Sequence, residues 1–101
     1  MKIMQGDSYP IPVDITQDGM AVTPEMVDEV EITVGSDVRK TYSSGGVYYD
    51  DGQWYFRLSQ EETFQMDGEE VILRIKYPRG DVLGARIGII NASEIQQKVV
   101  L

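Results

Sequence analysis

The sequence predicts a single all-β domain, and two observations support this prediction. Turn-forming residues recur roughly every 8 to 12 residues, and short β-branched or aromatic runs lie between them. Such spacing is typical of an antiparallel sandwich or barrel. A chain of 101 residues has room for one domain with one core, so residues 1–101 are predicted to form one unit.

The first strand region is predicted to span residues 2–17, with a turn at Gly6-Asp7. Every second residue from position 11 to position 15 is apolar, which indicates that one face of this strand is buried. Pro10 and Pro12 each lack a backbone donor and do not fit a central, fully paired strand. An edge strand is therefore expected here.

The next segments carry a turn signal and a helix signal. Asp18-Gly19 is a hairpin-type turn. In the sequence Thr23-Pro24-Glu25, Thr23 is in the position of a helix cap and Pro24 is in the first helical position, so one helical turn is expected.

Residues 30–34 form the clearest half-buried strand of the sequence. Val30, Ile32 and Val34 alternate with Glu29, Glu31 and Thr33, and the apolar residues are predicted to lie in the core. A turn at residues 35–37 then leads into a strand over residues 38–42.

Two further dipeptides, Gly45-Gly46 and Asp51-Gly52, suit two-residue turns that require positive φ. They separate the segments 38–42, 47–50 and 53–58. We therefore expect these three segments to form a meander of consecutively paired strands.

The Asp51-Gly52 turn fixes a register. A two-residue loop places Tyr49 opposite Trp54 and Tyr48 opposite Tyr55. Because side chains alternate between faces, one set is predicted to share the inner side, with Trp54 at the centre of the core. That set is Val47, Tyr49, Trp54, Phe56 and Leu58. The other side carries Tyr48, Tyr55 and Arg57, which are the candidate interface residues because Tyr and Arg are enriched at binding hot spots. The alternative is that they cover their own sheet or pack under a loop.

The C-terminal half is predicted to begin with a short helical turn, because Ser59 and Glu62 have the spacing of a capping box. This turn would carry the chain from one sheet to the other. The next strand buries Leu73 and Ile75 through the alternation of residues 71–77, and a turn at residues 78–81 closes a hairpin into residues 82–90. Residues 91–101 are expected to form a last strand, with a short helix capped by Ser93 as the alternative.

The residue inventory argues against catalysis. The chain has no histidine and no cysteine, which removes the commonest general base, metal ligands and thiol nucleophile. Adjacent acidic pairs such as Glu61-Glu62 do not share a site on a strand, since neighbouring side chains point to opposite faces. Asp50, Asp51 and Asp67 have two interpretations: they could converge as calcium ligands, or they are ordinary turn residues. The turn interpretation is favoured. The sequence predicts a non-enzymatic protein without cofactor or metal.

The charge limits the kind of partner. The formal net charge is −8, with the nine basic residues scattered singly, so nucleic acid and anionic membranes are expected to be repelled. No apolar run of the length of a membrane span is present, and residues 1–7 lack the apolar run of a signal peptide. Without export, the integrin-type tripeptide Arg79-Gly80-Asp81 and the sequon Asn91-Ala92-Ser93 are interpreted as turn and strand residues.

Three stretches together resemble a known family. They are Ile3-x-x-Gly6-Asp7-x-Tyr9-x-Ile11, Trp54-x-Phe56-x-Leu58-Ser59-x-Glu61-Glu62-Thr63, and residues 70–77 followed by a Gly-Asp turn and a closing strand. This pattern is similar to the immunoglobulin-like domains of structural proteins from tailed phages and prophages, such as the N-terminal domain of baseplate upper proteins.

The resemblance implies an immunoglobulin-like sandwich of about seven strands that docks on other virion proteins of the tail, baseplate or neck. A homo-oligomer is possible, and the protein would be made in the cytoplasm of a bacterial host before it enters the virion. The alternative is a β-sandwich that binds carbohydrate or another surface.

Overall fold

The computed structural model describes residues 2–66 and 68–93, in which ten strands and two short helices are assigned. The α-helix, α1, spans Gln60–Phe64, and a 3₁₀-helix spans Pro24–Met26. The all-β prediction is confirmed. The strands are β1 (Lys2–Met4), β2 (Pro10–Val13), β3 (Thr16–Gln17), β4 (Met20–Ala21), β5 (Glu29–Val34), β6 (Val38–Thr41), β7 (Val47–Asp50), β8 (Gln53–Arg57), β9 (Glu69–Lys76) and β10 (Val82–Ser93).

The strands form two main sheets. One sheet has five strands in the order β1-β10-β9-β5-β6, and the other has three in the order β2-β8-β7. All neighbours are antiparallel except β1, which runs parallel to the end of β10. The order agrees with the immunoglobulin sandwich, in which strands B, E and D lie in one sheet and G, F, C and C′ in the other. The strands β3 and β4 form a separate ribbon.

A single apolar core lies between the sheets. Trp54, Phe56 and Leu58 are each 2% exposed or less, as predicted, and Tyr49 packs against the same cluster. The inward alternation of β5 and β9 is also confirmed, because their apolar residues are buried in this cluster. From those two strands the cluster contains Val30, Ile32, Val34, Val71, Leu73 and Ile75.

The predicted strand region over residues 2–17 is divided into three strands, β1, β2 and β3, which belong to different sheets. The Gly6-Asp7 turn separates β1 from β2, and Gly6 has a φ of 91°. The edge position predicted from the two prolines is confirmed, because β2 pairs only with β8 among the described residues.

The predicted meander is wrong at Gly45-Gly46. The strands on either side, β6 and β7, lie in different sheets, so this dipeptide belongs to a crossover and not to a hairpin. Only Gly45 of the pair has positive φ, at 86°. A primed two-residue turn requires positive φ at one or both of its central residues, and glycine readily adopts it. Glycine also suits a loop between sheets, so its presence alone does not indicate a hairpin.

The other two-residue turns are confirmed. Asp18 and Gly19 have φ of 51° and 79°, and Asp51 and Gly52 have φ of 48° and 80°. Positive φ at both central residues matches a type I′ turn. The resulting register of β7 and β8 places Tyr48 opposite Tyr55, as predicted.

Both short helices lie in connections between sheets. The capping box at α1 is complete, since the Ser59 hydroxyl accepts from the Glu62 N–H and the Glu62 carboxylate accepts from the Ser59 N–H. Thr23 precedes the 3₁₀-helix, but its side chain makes no capping hydrogen bond, which corrects the predicted role.

The predicted hairpin from residues 71–77 into residues 82–90 is confirmed. The hairpin turn at residues 78–81 joins β9 to β10, and residues 91–93 continue β10 and pair with β1. The remaining part of the predicted last strand, residues 94–101, lies outside the described residues. In the described part of the chain, no helix has the length and apolarity needed to cross a membrane.

Candidate functional site

The outer face of the three-stranded sheet places the predicted interface residues together. Pro12 is opposite Tyr55 in the β2–β8 pair, and Tyr55 is opposite Tyr48 in the β8–β7 pair. The sequence neighbours of these residues are buried in the core, so the row itself faces outward. Arg57 is two residues beyond Tyr55 on the same face. We refer to Pro12, Tyr48, Tyr55 and Arg57 as the aromatic face.

The two tyrosines of the aromatic face are stacked. Their ring centroids are 5.4 Å apart and the ring planes are inclined by 23°. Both residues are half-buried. Each ring holds the other in place, so less side-chain entropy remains to be lost when a partner covers them.

Arg57 is exposed, and it lines an open groove of about 530 Å³ beside the tyrosine stack. Tyr48 and Lys40 line the same groove, and Ser8 and Ser59 contribute hydroxyl groups. The described residues provide Arg57 with no ion pair. The face therefore combines a flat aromatic pair with an available cation and with hydrogen-bonding groups at its rim.

A hydrogen-bonded junction lies at the end of β8, where α1 meets the turn that follows β1. The Gly6 N–H donates to the Thr63 hydroxyl at 2.8 Å, and the Gln60 amide donates to the Gly6 carbonyl at 3.0 Å. The Asp7 carboxylate accepts from the Met4 N–H at 2.9 Å and closes the turn. The Gly-Asp and Ser-x-x-Glu motifs are thus parts of one structural contact.

Thr63 is the centre of this junction. The side chain is 1% exposed, and its hydroxyl lies 3.0 Å from the carbonyl oxygens of Asp7 and of Gln60. Nearby, Gln5 donates to the Met66 carbonyl at 3.3 Å while its Oε1 is buried without a partner. These contacts fix the position of α1 and of the connection between the sheets.

The junction continues to the five-stranded sheet through an ion pair. Lys40 on β6 lies 2.9 Å from the Glu62 carboxylate, whose side chain is about a quarter exposed (26%). Burial raises the pKa of Glu62, but the hydrogen bonds from Ser59 and the Lys40 ammonium lower it further than burial raises it. The net pKa is below the ordinary value.

The acidic residues weighed for calcium do not form a site in the described structure. Asp50 and Asp51 lie at the β7–β8 turn and are exposed, and Asp67 is outside the described residues. Within residues 2–66 and 68–93, no group of three or more His, Cys, Asp or Glu residues is placed to hold a metal ion. Arg79, Gly80 and Asp81 lie at an exposed hairpin tip, as predicted.

Sequence reasoning placed the aromatic face but missed the junction. The face could be predicted because one turn type sets the register of a whole hairpin. Gln5 and Thr63 are polar residues that no local pattern marks as buried, and their contacts join positions 61 and 57 residues apart. No local pattern indicates a pairing over such a distance.

Comparison with known proteins gives no match to a family model, to a curated protein or to a solved structure.

Proposed function

We propose that this domain is a non-enzymatic structural or assembly protein of a phage or prophage, which docks on other virion proteins through the aromatic face. The observation that supports docking is the stacked Tyr48–Tyr55 pair with Arg57 beside it. Tyr and Arg give large contact areas with polar ends, which is why they dominate binding hot spots. The phage context comes from the sequence resemblance described above.

The rest of the molecule supports a structural role. The residues that carry the resemblance make contacts that fix the fold: Trp54 fills the core, and Gly6 and Thr63 hold the junction. The lack of histidine and cysteine leaves few groups for chemistry. Rigid positioning of one outer face is what a docking module requires. In this proposal the protein is made in the host cytoplasm and then assembled into the virion, either singly or as a homo-oligomer.

Particle association tests this proposal. Tailed particles and their assembly intermediates are purified from an induced host, and the protein is quantified in each fraction by mass spectrometry. We expect it to co-purify with tail or baseplate proteins, and to be lost from them when Tyr55→Ala replaces the wild type. Its presence only in fractions free of virion proteins would contradict the proposal.

Carbohydrate binding is the second candidate, and the groove beside the tyrosine stack favours it. The groove offers one aromatic surface, Tyr48, together with the hydroxyls of Ser8 and Ser59 and the guanidinium of Arg57, and Lys40 lines it while paired with Glu62. A glycan array distinguishes the two functions. Specific glycan binding that is lost in Tyr48→Ala would support this candidate against protein docking.

A further inference from the structure

The strand β10 has a long edge without a partner. On one side it pairs with β9 from Val82 to Ile90. On the other side it pairs with β1, but only at residues 91–93. Among the described residues, no strand lies against residues 82–90 on that side. An edge of this length exposes a row of backbone donors and acceptors that can bind another strand.

The backbone groups at the start of β10 can be assigned to a side. The Tyr77 N–H donates to the Asp81 carbonyl at 2.9 Å, so Asp81 is directed toward β9. Successive residues of a strand alternate in direction, so the N–H and C=O groups of Val82 and Gly84 point to the open edge. They are available to an added strand.

An apolar side chain on the core side of this edge is left partly exposed by the rest of the domain. Leu83 is opposite Ile75, a core residue with 5% exposure, and therefore lies on the core side of the sheet. Leu83 is nevertheless 48% exposed, and Val82 on the outer side is 58% exposed. A half-exposed leucine on the core side indicates that the sandwich is open at this corner.

The outer side of the sheet next to this edge carries two basic residues of β9. Arg74 is opposite Gly84 and Lys76 is opposite Val82, and both basic side chains are exposed. On β5, Glu31 is opposite Arg74 and lies 3.9 Å from it, and Glu29 is opposite Lys76 without an ion pair between them in the described part of the chain. The β9–β10 hairpin, residues 69–90, contains four basic and three acidic residues, and Glu69 and Glu70 lie at the far end, opposite Ile90 and Ile89.

We propose that the open edge of β10 accepts an extended segment of another protein, in which apolar residues alternate with acidic ones. The apolar residues would cover Leu83 on the core side, and the acidic residues would lie on the outer side and face Arg74 and Lys76 across β10, where Gly84 has no side chain between them. Pairing with β10 of a second copy is disfavoured, because it would bring two basic outer sides together. The inference rests on the proposed function only in that the domain binds protein, since this edge is separate from the aromatic face.

Strand addition is tested with a short blocked peptide of alternating glutamate and valine, and the control is the same peptide with lysine for glutamate. We expect saturable binding of the first peptide by fluorescence anisotropy and at least about tenfold weaker binding of the second. Amide exchange at Val82 and Gly84 should slow on binding, because their N–H groups enter a new ladder.

Three variants identify the surface. Leu83→Lys places a charge at an exposed core-side position, and Val82→Pro removes an N–H on the open side without removing a bond to β9; each should weaken binding at least about tenfold. Lys76→Glu should reverse the preference between the two peptides. Tyr55→Ala is the matched control and should bind the first peptide like the wild type.

The proposal is contradicted if the glutamate-valine peptide does not bind at millimolar concentration, or if binding leaves the Val82 and Gly84 amides unprotected. Equal binding by Leu83→Lys and the wild type would contradict it too. These outcomes concern the β10 edge alone. Failure of the aromatic face is seen separately, as unchanged particle association of Tyr55→Ala.

Discussion

At the residue scale, Trp54 shows how much one turn can predict. The Asp51-Gly52 pair permits a type I′ turn, and that turn sets which neighbours of the hairpin point inward. In the structure Trp54 is 2% exposed, its indole N–H donates to the Val22 carbonyl at 2.8 Å, and its ring meets those of Tyr42 and Tyr49 edge to face. The burial could be predicted, but the Val22 acceptor could not, because it lies 32 residues away.

Replacement of Trp54 tests the core assignment. Trp54→Ala removes a large buried ring and should lower the free energy of unfolding by roughly 3–5 kcal/mol, which is a large part of the stability of a small domain. Trp54→Phe keeps most of the apolar contact but leaves the Val22 carbonyl unpaired, so a smaller loss is expected. Urea denaturation measures both. If both substitutions lower the free energy of unfolding by the same small amount, Trp54 does not organise the core.

At the element scale, turn residues predict where the chain turns but not which strands pair afterwards. Asp51-Gly52 joins two paired strands, whereas Gly45-Gly46 joins strands of different sheets. Both dipeptides suit positive φ, so their composition does not separate the two cases. The difference depends on which strand has a buried partner, and this is a property of the whole core.

The junction between α1 and the turn after β1 makes a prediction about Thr63. Thr63→Val keeps the volume of this buried residue but removes the hydroxyl, so the half-buried Gly6 N–H loses its acceptor. We expect a loss of about 1–3 kcal/mol in the free energy of unfolding, measured by urea denaturation. The control Thr16→Val is at an exposed strand position and should change stability little. Equal stability of Thr63→Val and the wild type would contradict the structural role of the junction.

The same element predicts a pH dependence through Glu62. Its folded pKa is below the ordinary value of 4.5, so the ionised carboxylate stabilises the fold above about pH 4.5 and this contribution is lost as pH falls through the folded pKa. Glu62→Gln should cost roughly 1 kcal/mol at neutral pH, and the difference from the wild type should shrink in acid. Glu61→Gln, at an exposed neighbouring position, is the control. A difference that is constant with pH would contradict the role of the charge.

At the scale of the whole molecule, the fold class followed from alternation and turn spacing, whereas the open edge of β10 became visible only with the sheet order. The open edge of β10 has no signal in the sequence, because the run 82–90 is equally suited to a strand paired on both sides. The short pairing with β1 becomes visible only in the topology. The aromatic face was predictable because all its tyrosines belong to one hairpin.

Stability of the whole domain should not depend on metal. A metal that binds only the folded state raises the melting temperature by mass action. With no metal-binding group of acidic residues among residues 2–66 and 68–93, we expect the same melting temperature in chelator and in millimolar calcium, measured by differential scanning calorimetry. A clear rise of the melting temperature with calcium would support the hypothesis of a calcium site at Asp50, Asp51 and Asp67.

The most direct test of the account is the effect of Tyr55→Ala on docking. The substitution removes half of the stacked pair from a half-buried outer position, so the domain should remain folded. Its proposed complex with a virion protein should weaken by about 2 kcal/mol, or roughly thirtyfold in the dissociation constant. Met20→Ala, which truncates a residue 67% exposed on the β3–β4 ribbon, is the control and should bind normally. Titration calorimetry with the purified neighbour, together with light scattering for self-association, measures the effect. Unchanged affinity and unchanged oligomeric state in Tyr55→Ala would mean that the aromatic face is ordinary surface.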